Sequence, residues 1–173
     1  DRSTGAIAVR VHPTMVPLDH PLASVRDSYN AVFVEGDAVG SLMFFGRGAG
    51  GAPTASAVLG DLVDAAVNLV NGTHGSLGSF ERAKALPIDE TSSEYLLALD
   101  VADRPGVLHQ VTGVFARHGV SIRAAEQEGH GPEARLVFIT HSAREADVQA
   151  TVSELRDLDV VGRVGGLLRV IGE

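Results

Sequence analysis

The chain has 173 residues and is 45% hydrophobic, enough for one ordinary domain or two small ones with a buried core. A formal net charge of −8 and a pI near 5.3, without any Lys/Arg cluster, argue against a nucleic-acid partner. Cysteine is absent, which excludes disulfides and thiolate metal sites, and no apolar run reaches bilayer-spanning length, so a cytoplasmic protein with no membrane partner is expected.

Asp1-Arg2-Ser3-Thr4 opens the chain without methionine, directly ahead of an alternating strand pattern at Ile7 to Val11, and so reads as a segment of something longer. Pro13, Pro17, Asp19, Pro21 and Ser24 mark a loop. Asn30 to Glu35 and Ala38 to Phe45 read as two antiparallel strands joined at Gly36-Asp37, a pair suited to positive backbone angles. The second strand empties into Gly46-Arg47-Gly48-Ala49-Gly50-Gly51, and Pro53 fits a first helical position. From Ala55, the positions Val58, Leu59, Leu62, Val63, Ala66, Leu69 and Val70 recur at helical spacing, with Gly72 as the stop.

Residues 73–93 are rich in Gly, Ser, Thr and charge and show no sustained period, so they are assigned as a linker between a segment 1–72 and a domain 94–173. Beyond it, Tyr95 to Val101 reads as a strand, and Pro105 to Arg117 as a helix closed by Gly119. Val120, Ile122 and Ala124 lie on the next strand, Glu126 to Glu133 reads as a mobile hairpin connection, and Ala134 to Thr140 alternates again. Ser142 with Glu145 has the spacing of a capping box, opening a helix whose Val148, Val152 and Leu155 face inward. Val160 to Ile171 supplies a last strand with a break expected at Gly165-Gly166. The order strand, helix, strand, strand, helix, strand predicts a ferredoxin-like βαββαβ domain, two helices covering one face of a four-stranded antiparallel sheet. The fold class is α+β.

Gly46, Gly48 and Gly51 form a literal G-x-G-x-x-G between a strand and a helix. A dinucleotide fold would need a second parallel strand with an acidic residue about 20 positions on, and that distance falls at the helix end. The residues alone leave two readings open: a tight turn whose glycines permit close packing, or a helix amino terminus whose amides meet a cofactor. The segment FFGRGAGGAPTASAVLGDLVD, Phe44 to Asp64, closely resembles the glycine-rich segment near the end of homoserine dehydrogenase catalytic regions, and HPTMVPLDHPLASV and NAVFVEGDAVG are similar to the sequence preceding it. The resemblance implies that Gly50, with Gly48 and Ala49, approaches the NADP or NAD of the full-length enzyme. It also implies that the nucleotide fold, the acidic substrate ligands and the catalytic lysine lie upstream. No catalytic residue is therefore assigned here, no cofactor is expected to bind this fragment tightly, and the fragment alone is expected to be inactive. Lys84, the sole lysine, reads as a solvated linker residue.

In the second half, LDVADRPGVLHQVTGVFARHGVSI, Leu99 to Ile122, resembles the first strand, turn and helix of an ACT domain. From local chemistry Asp103 either caps a helix begun by Pro105 or holds a ligand's ammonium group while amides near Gly106, Val107 and Leu108 take its carboxylate. The resemblance implies an amino-acid effector, L-threonine or another, held between this turn and Ser121 and Ile122 of a partner in a homodimer or higher assembly. The histidines show no i, i+4 pair, so no metal site is expected. The chain thus reads as the feedback-sensing carboxy-terminal part of a homoserine dehydrogenase, an oxidoreductase, with a stand-alone amino-acid-binding or dimerisation module as the alternative.

Overall fold

The computed structural model describes residues 5–74, 80 and 82–172. In chain order its elements are β1 (Ala6–Ile7), β2 (Thr14–Met15), a 3-10 turn (Pro21–Ser24), β3 (Tyr29–Gly36), β4 (Gly40–Arg47), α1 (Gly51–Asn71), β5 (Lys84–Ala85), a second 3-10 turn (Ile88–Glu90), β6 (Ser92–Ala102), α2 (Val107–Arg117), β7 (Ile122–His130), β8 (Glu133–Thr140), β9 (Ala143–Arg144), α3 (Glu145–Arg156) and β10 (Val161–Val170). They divide into two compact units, residues 16–82 and residues 1–15 with 83–173.

In the unit 16–82, β3 and β4 form a regular antiparallel hairpin from Tyr29↔Arg47 to Gly36↔Gly40. Its turn is Asp37-Ala38-Val39, and the positive φ of 72° falls on Gly40. The expected turn at Gly36-Asp37 is corrected by this: the positive backbone angle falls on Gly40, where β4 begins, and on neither Gly36 nor Asp37. Tyr29 stacks on Phe45 at 4.8 Å, with the Arg47 guanidinium 5.0 Å from the Tyr29 ring centre. Helix α1 starts at Gly51, so Pro53 is its third residue. It ends in a Schellman arrangement, Thr73 N–H donating to Asn68 O and Gly72 N–H to Leu69 O, with Gly72 left-handed as expected of the stop. Among the described residues of this unit none is buried, and Phe44, Leu59 and Leu62 are each at least 60% exposed. These apolar stripes are organised by hairpin and helix yet cover one another little.

The other unit contains the core. Its sheet runs β2-β10-β6-β8-β7, with β9 pairing the start of β6. The stretch β10-β6-β8-β7 is antiparallel, the ferredoxin-like order expected. Leu97, Leu99 and Val101 of β6 and Leu136 and Phe138 of β8 face Val111, Val114 and Phe115 of α2 and Val148, Val152 and Leu155 of α3 in one cluster. Between Val164 and Leu167 the β10–β6 register shifts without breaking the strand, and a β-carbon on Gly165 would lie 3.1 Å from Ala98 O, so the glycine pair makes a bulge.

Residues 5–15 also belong here, which no sequence pattern suggested. Thr14 and Met15 pair in parallel with Arg169 and Val170, and Ile171 N–H donates to Met15 O. Ala6 and Ile7 pair in parallel with Lys84 and Ala85 inside the stretch assigned as linker, of which residues 75–79 and 81 lie outside the described residues.

Two expectations are corrected. Residues Glu126 to His130 are strand, and only Gly131 and Pro132 turn before β8; β7 is an exposed edge, so its polar side chains carry no alternation. Ser142 and Glu145 form no capping box, because the N-cap of α3 is Arg144, which pairs with Asp147. Glu145 turns inward instead. Its carboxylate accepts from Tyr95 Oη at 2.8 Å, Gln149 Nε2 at 2.7 Å and the Arg169 guanidinium. Burial alone would raise the Glu145 carboxyl, but the hydrogen bonds from Gln149, Tyr95 and Arg169 and the Arg169 charge hold it below its ordinary value. Burial, reinforced by Glu145, pushes the Tyr95 phenol up.

Candidate functional site

Strand β6 ends at Ala102, and the chain crosses to α2 through Arg104-Pro105-Gly106-Val107. Pro105 followed by Gly106 at φ 88°, ψ −11°, with Val107 N–H donating to Arg104 O, is a type II turn. Gly106 is the N-cap of α2 and offers no side chain, so the capping alternative drawn from the sequence does not hold. Pro105 lies before the helix, and Asp103 does not cap it. Of the three expected amides, Val107's is engaged within the turn. No backbone carbonyl among the described residues accepts those of Gly106 and Leu108.

Asp103 is placed by its backbone, its N–H donating to Pro132 O at the β7–β8 turn. Its exposed carboxylate lies over β7, where Gln127 Nε2 donates to Oδ1 at 3.5 Å and a β-carbon on Gly129 would fall 2.5 Å from Oδ2. Asp103, Pro105, Gly106, Val107 and Leu108 thus line one cleft of about 460 Å³, with Gln127 opposite. Sequence reasoning missed Gln127 and Gly129. A glycine inside a strand signals close approach of another group, but the polar run Glu126 to Glu133 shows no alternation that marks Gly129 as a strand residue. Ser121 and Ile122 lie at the far end of β7, Ser121 O accepting from His141 N–H and Ile122 pairing with Thr140. One chain does not bring them to the cleft.

The glycine turn before α1 is tight. A β-carbon on Gly48 would fall 1.5 Å from Asn30 Nδ2, and Gly50, at φ 121°, is the N-cap of α1 without any side-chain cap. Ala49 is exposed beside it, and Thr54 N–H donates to Gly50 O. Space in front of Gly51 is open. Lys84 is an exposed residue of β5. Among the described residues no group of His, Asp or Glu is placed to hold a metal, and no helix is long and apolar enough to cross a membrane.

Residues 2–63 match the family model for homoserine dehydrogenase, and residues 95–160 match that for the ACT domain. The chain is 50% identical over 169 residues to a homoserine dehydrogenase of Corynebacterium glutamicum, covering 95% of this chain and 37% of that protein. The chain belongs to the homoserine dehydrogenase family. A homoserine dehydrogenase of Mycobacterium tuberculosis is 46% identical over 179 residues, 99% of this chain and 41% of its own length. In structure, a homoserine dehydrogenase from Thiobacillus denitrificans superposes with a TM-score of 0.87 at 34% identity, covering 96% of this chain and 39% of that one. The chain therefore spans about two fifths of the length of the homoserine dehydrogenases it matches, and corresponds to a carboxy-terminal portion of them.

Proposed function

We propose that this chain is the regulatory carboxy-terminal part of a cytoplasmic homoserine dehydrogenase that interconverts L-homoserine and L-aspartate 4-semialdehyde with NAD(P), and that its ACT domain senses L-threonine. The observation that carries the sensor reading is the cleft lined together by Asp103, Gly106 and Leu108. A zwitterion is matched at both ends there, its ammonium group by the carboxylate and its carboxylate by amides at the start of a helix.

β7 is an edge strand with unpaired backbone groups, and a second copy added along it would place a partner's Ser121 and Ile122 opposite the cleft. Threonine can inhibit only by binding one arrangement of such an assembly better than another. For the cofactor, the bare N-cap Gly50 leaves the first amides of α1 unobstructed, so Gly48, Ala49 and Gly50 fit the approach of a carboxamide or phosphate. Bound there in the complete enzyme, the nicotinamide supplies hydride transfer, and this chain's part is to hold and orient it.

Calorimetric titration of the 173-residue chain with threonine tests the sensor. Saturable binding is expected, weakened about tenfold or more by Asp103→Ala, which removes a charge-assisted contact. Absence of saturable heat with threonine, isoleucine, methionine and lysine alike would exclude an amino-acid sensor. Gly129→Ala leaves the Asp103 charge in place but puts a β-carbon 2.5 Å from its Oδ2, which must shift, so it is expected to weaken threonine binding less than Asp103→Ala does. The chain alone is expected not to oxidise homoserine with NADP⁺; turnover would refute the assignment of all catalytic groups to the remainder of the enzyme.

A further inference from the structure

A second cleft, of about 430 Å³, lies where residues 10–14 return onto the sheet, and it is lined by Arg10, His12, Thr14, Ser93, Ser142 and Arg169 among others. Its lining sets two guanidiniums, an imidazole and several hydroxyls against one carboxylate, that of Glu94. Arg10 Nη1 donates to Ser93 Oγ at 2.5 Å, and Nη2 reaches Ser92 O at 3.5 Å. Among the described residues no carboxylate pairs with Arg10; Glu94, which itself lines the cleft, is engaged by Arg123 at 2.8 Å, and Glu145 by Arg169. His12 uses Nδ1 with Thr14 Oγ1, and neither its Nε2 nor the Ser142 hydroxyl has a partner among the described residues.

Among the described residues the Arg10 guanidinium has no carboxylate partner, and it faces hydroxyls and a ring nitrogen across a small-molecule-sized cleft. A planar fork with free N–H groups pairs best with two oxygens of one anion. We propose that this cleft binds a small oxyanion, the carboxylate or phosphate of a metabolite-sized molecule, gripped by Arg10 with support from His12 and Ser142. Because Arg10 and Thr14 flank the β2–β10 pairing, an occupant bridges the returning segment and the sheet and fastens one to the other. The site stands apart from the Asp103 cleft and does not depend on the effector reading.

The test is calorimetric titration of the 173-residue chain at fixed ionic strength, with inorganic phosphate in one arm and succinate in the other. At least one anion is expected to bind saturably, and the arm that does so identifies the class of oxyanion. Arg10→Ala and Arg10→Gln, the second keeping hydrogen-bond donors without charge, are each expected to weaken binding about tenfold or more. Arg163→Ala, whose guanidinium pairs with Asp100 near the opposite end of β10, should leave it unchanged. Failure of both anions to saturate, or binding indifferent to both Arg10 variants, overturns the proposal.

Discussion

Arg169→Met is expected to destabilise the unit of residues 83–173 by about 3–5 kcal/mol, the cost of leaving one charge of a buried pair behind. Arg169 is 14% exposed and Glu145 9%, and the pair is bracketed by the Tyr95 hydroxyl and Gln149, so a lone Glu145 carboxylate would have little water to turn to. The Arg169 guanidinium also lies 5.8 Å from the Tyr95 ring centre, and its Nε is buried without a partner among the described residues. Urea unfolding followed by circular dichroism at neutral pH measures the loss. Because the Glu145 carboxyl sits below its ordinary value in the fold, the stabilisation is complete above the ordinary carboxylate range and is lost as pH falls through the depressed value. The gap between wild type and Arg169→Met should therefore narrow as pH falls below the ordinary carboxylate range. Arg169→Met combined with Glu145→Leu should recover much of the loss at neutral pH, since it removes both charges; a single variant as stable as wild type would show the pair to be dispensable.

Phe138→Ala is expected to cost a similar amount, about 3–5 kcal/mol, through lost burial and the cavity left behind. Phe138 has no exposed surface, sits in the middle of β8, and packs its ring 5.0 Å from that of Phe115 on α2. The cavity would open between sheet and helix, with Leu97 and Leu99 of β6 in the same cluster. A fall in the urea midpoint at unchanged slope is the expected signature. A loss under about 1 kcal/mol would mean that the surrounding side chains collapse into the space, contrary to a close-packed core.

The second half was legible because each of its amphipathic elements finds its partner within the same unit. The helical stripe of Val111, Val114 and Phe115 and the alternation of Leu97, Leu99 and Val101 are two halves of one core. Three features escaped for physical reasons. β7 is held by backbone pairing along an exposed edge, and its side chains had no reason to alternate. Glu145 had the spacing of a cap residue, and only the distant Tyr95 and Arg169 reveal that it points inward. Residues 5–15 make two-residue pairings with strands far along the chain, so the alternation at Ile7 to Val11, expected to be a strand, yields one only at Ala6–Ile7 and could not name its partner. In the candidate site, Asp103 through Leu108 could be named because they are contiguous, whereas Gln127 and Gly129 reach Asp103 only through the crossover to β7. In the first half the spacing of α1 was visible, but Val58, Leu59 and Leu62 remain exposed, so periodicity located the helix without saying what covers it.

The short strand Thr14–Met15 lies against the last residues of β10, and the Gly165-Gly166 bulge distorts that same border midway. β7, by contrast, keeps a regular register from Ala124 to His130 after one irregularity at Arg123. If copies join at β7 as proposed, the union would use the same long edge on both molecules, so the pair would terminate rather than grow into a fibre.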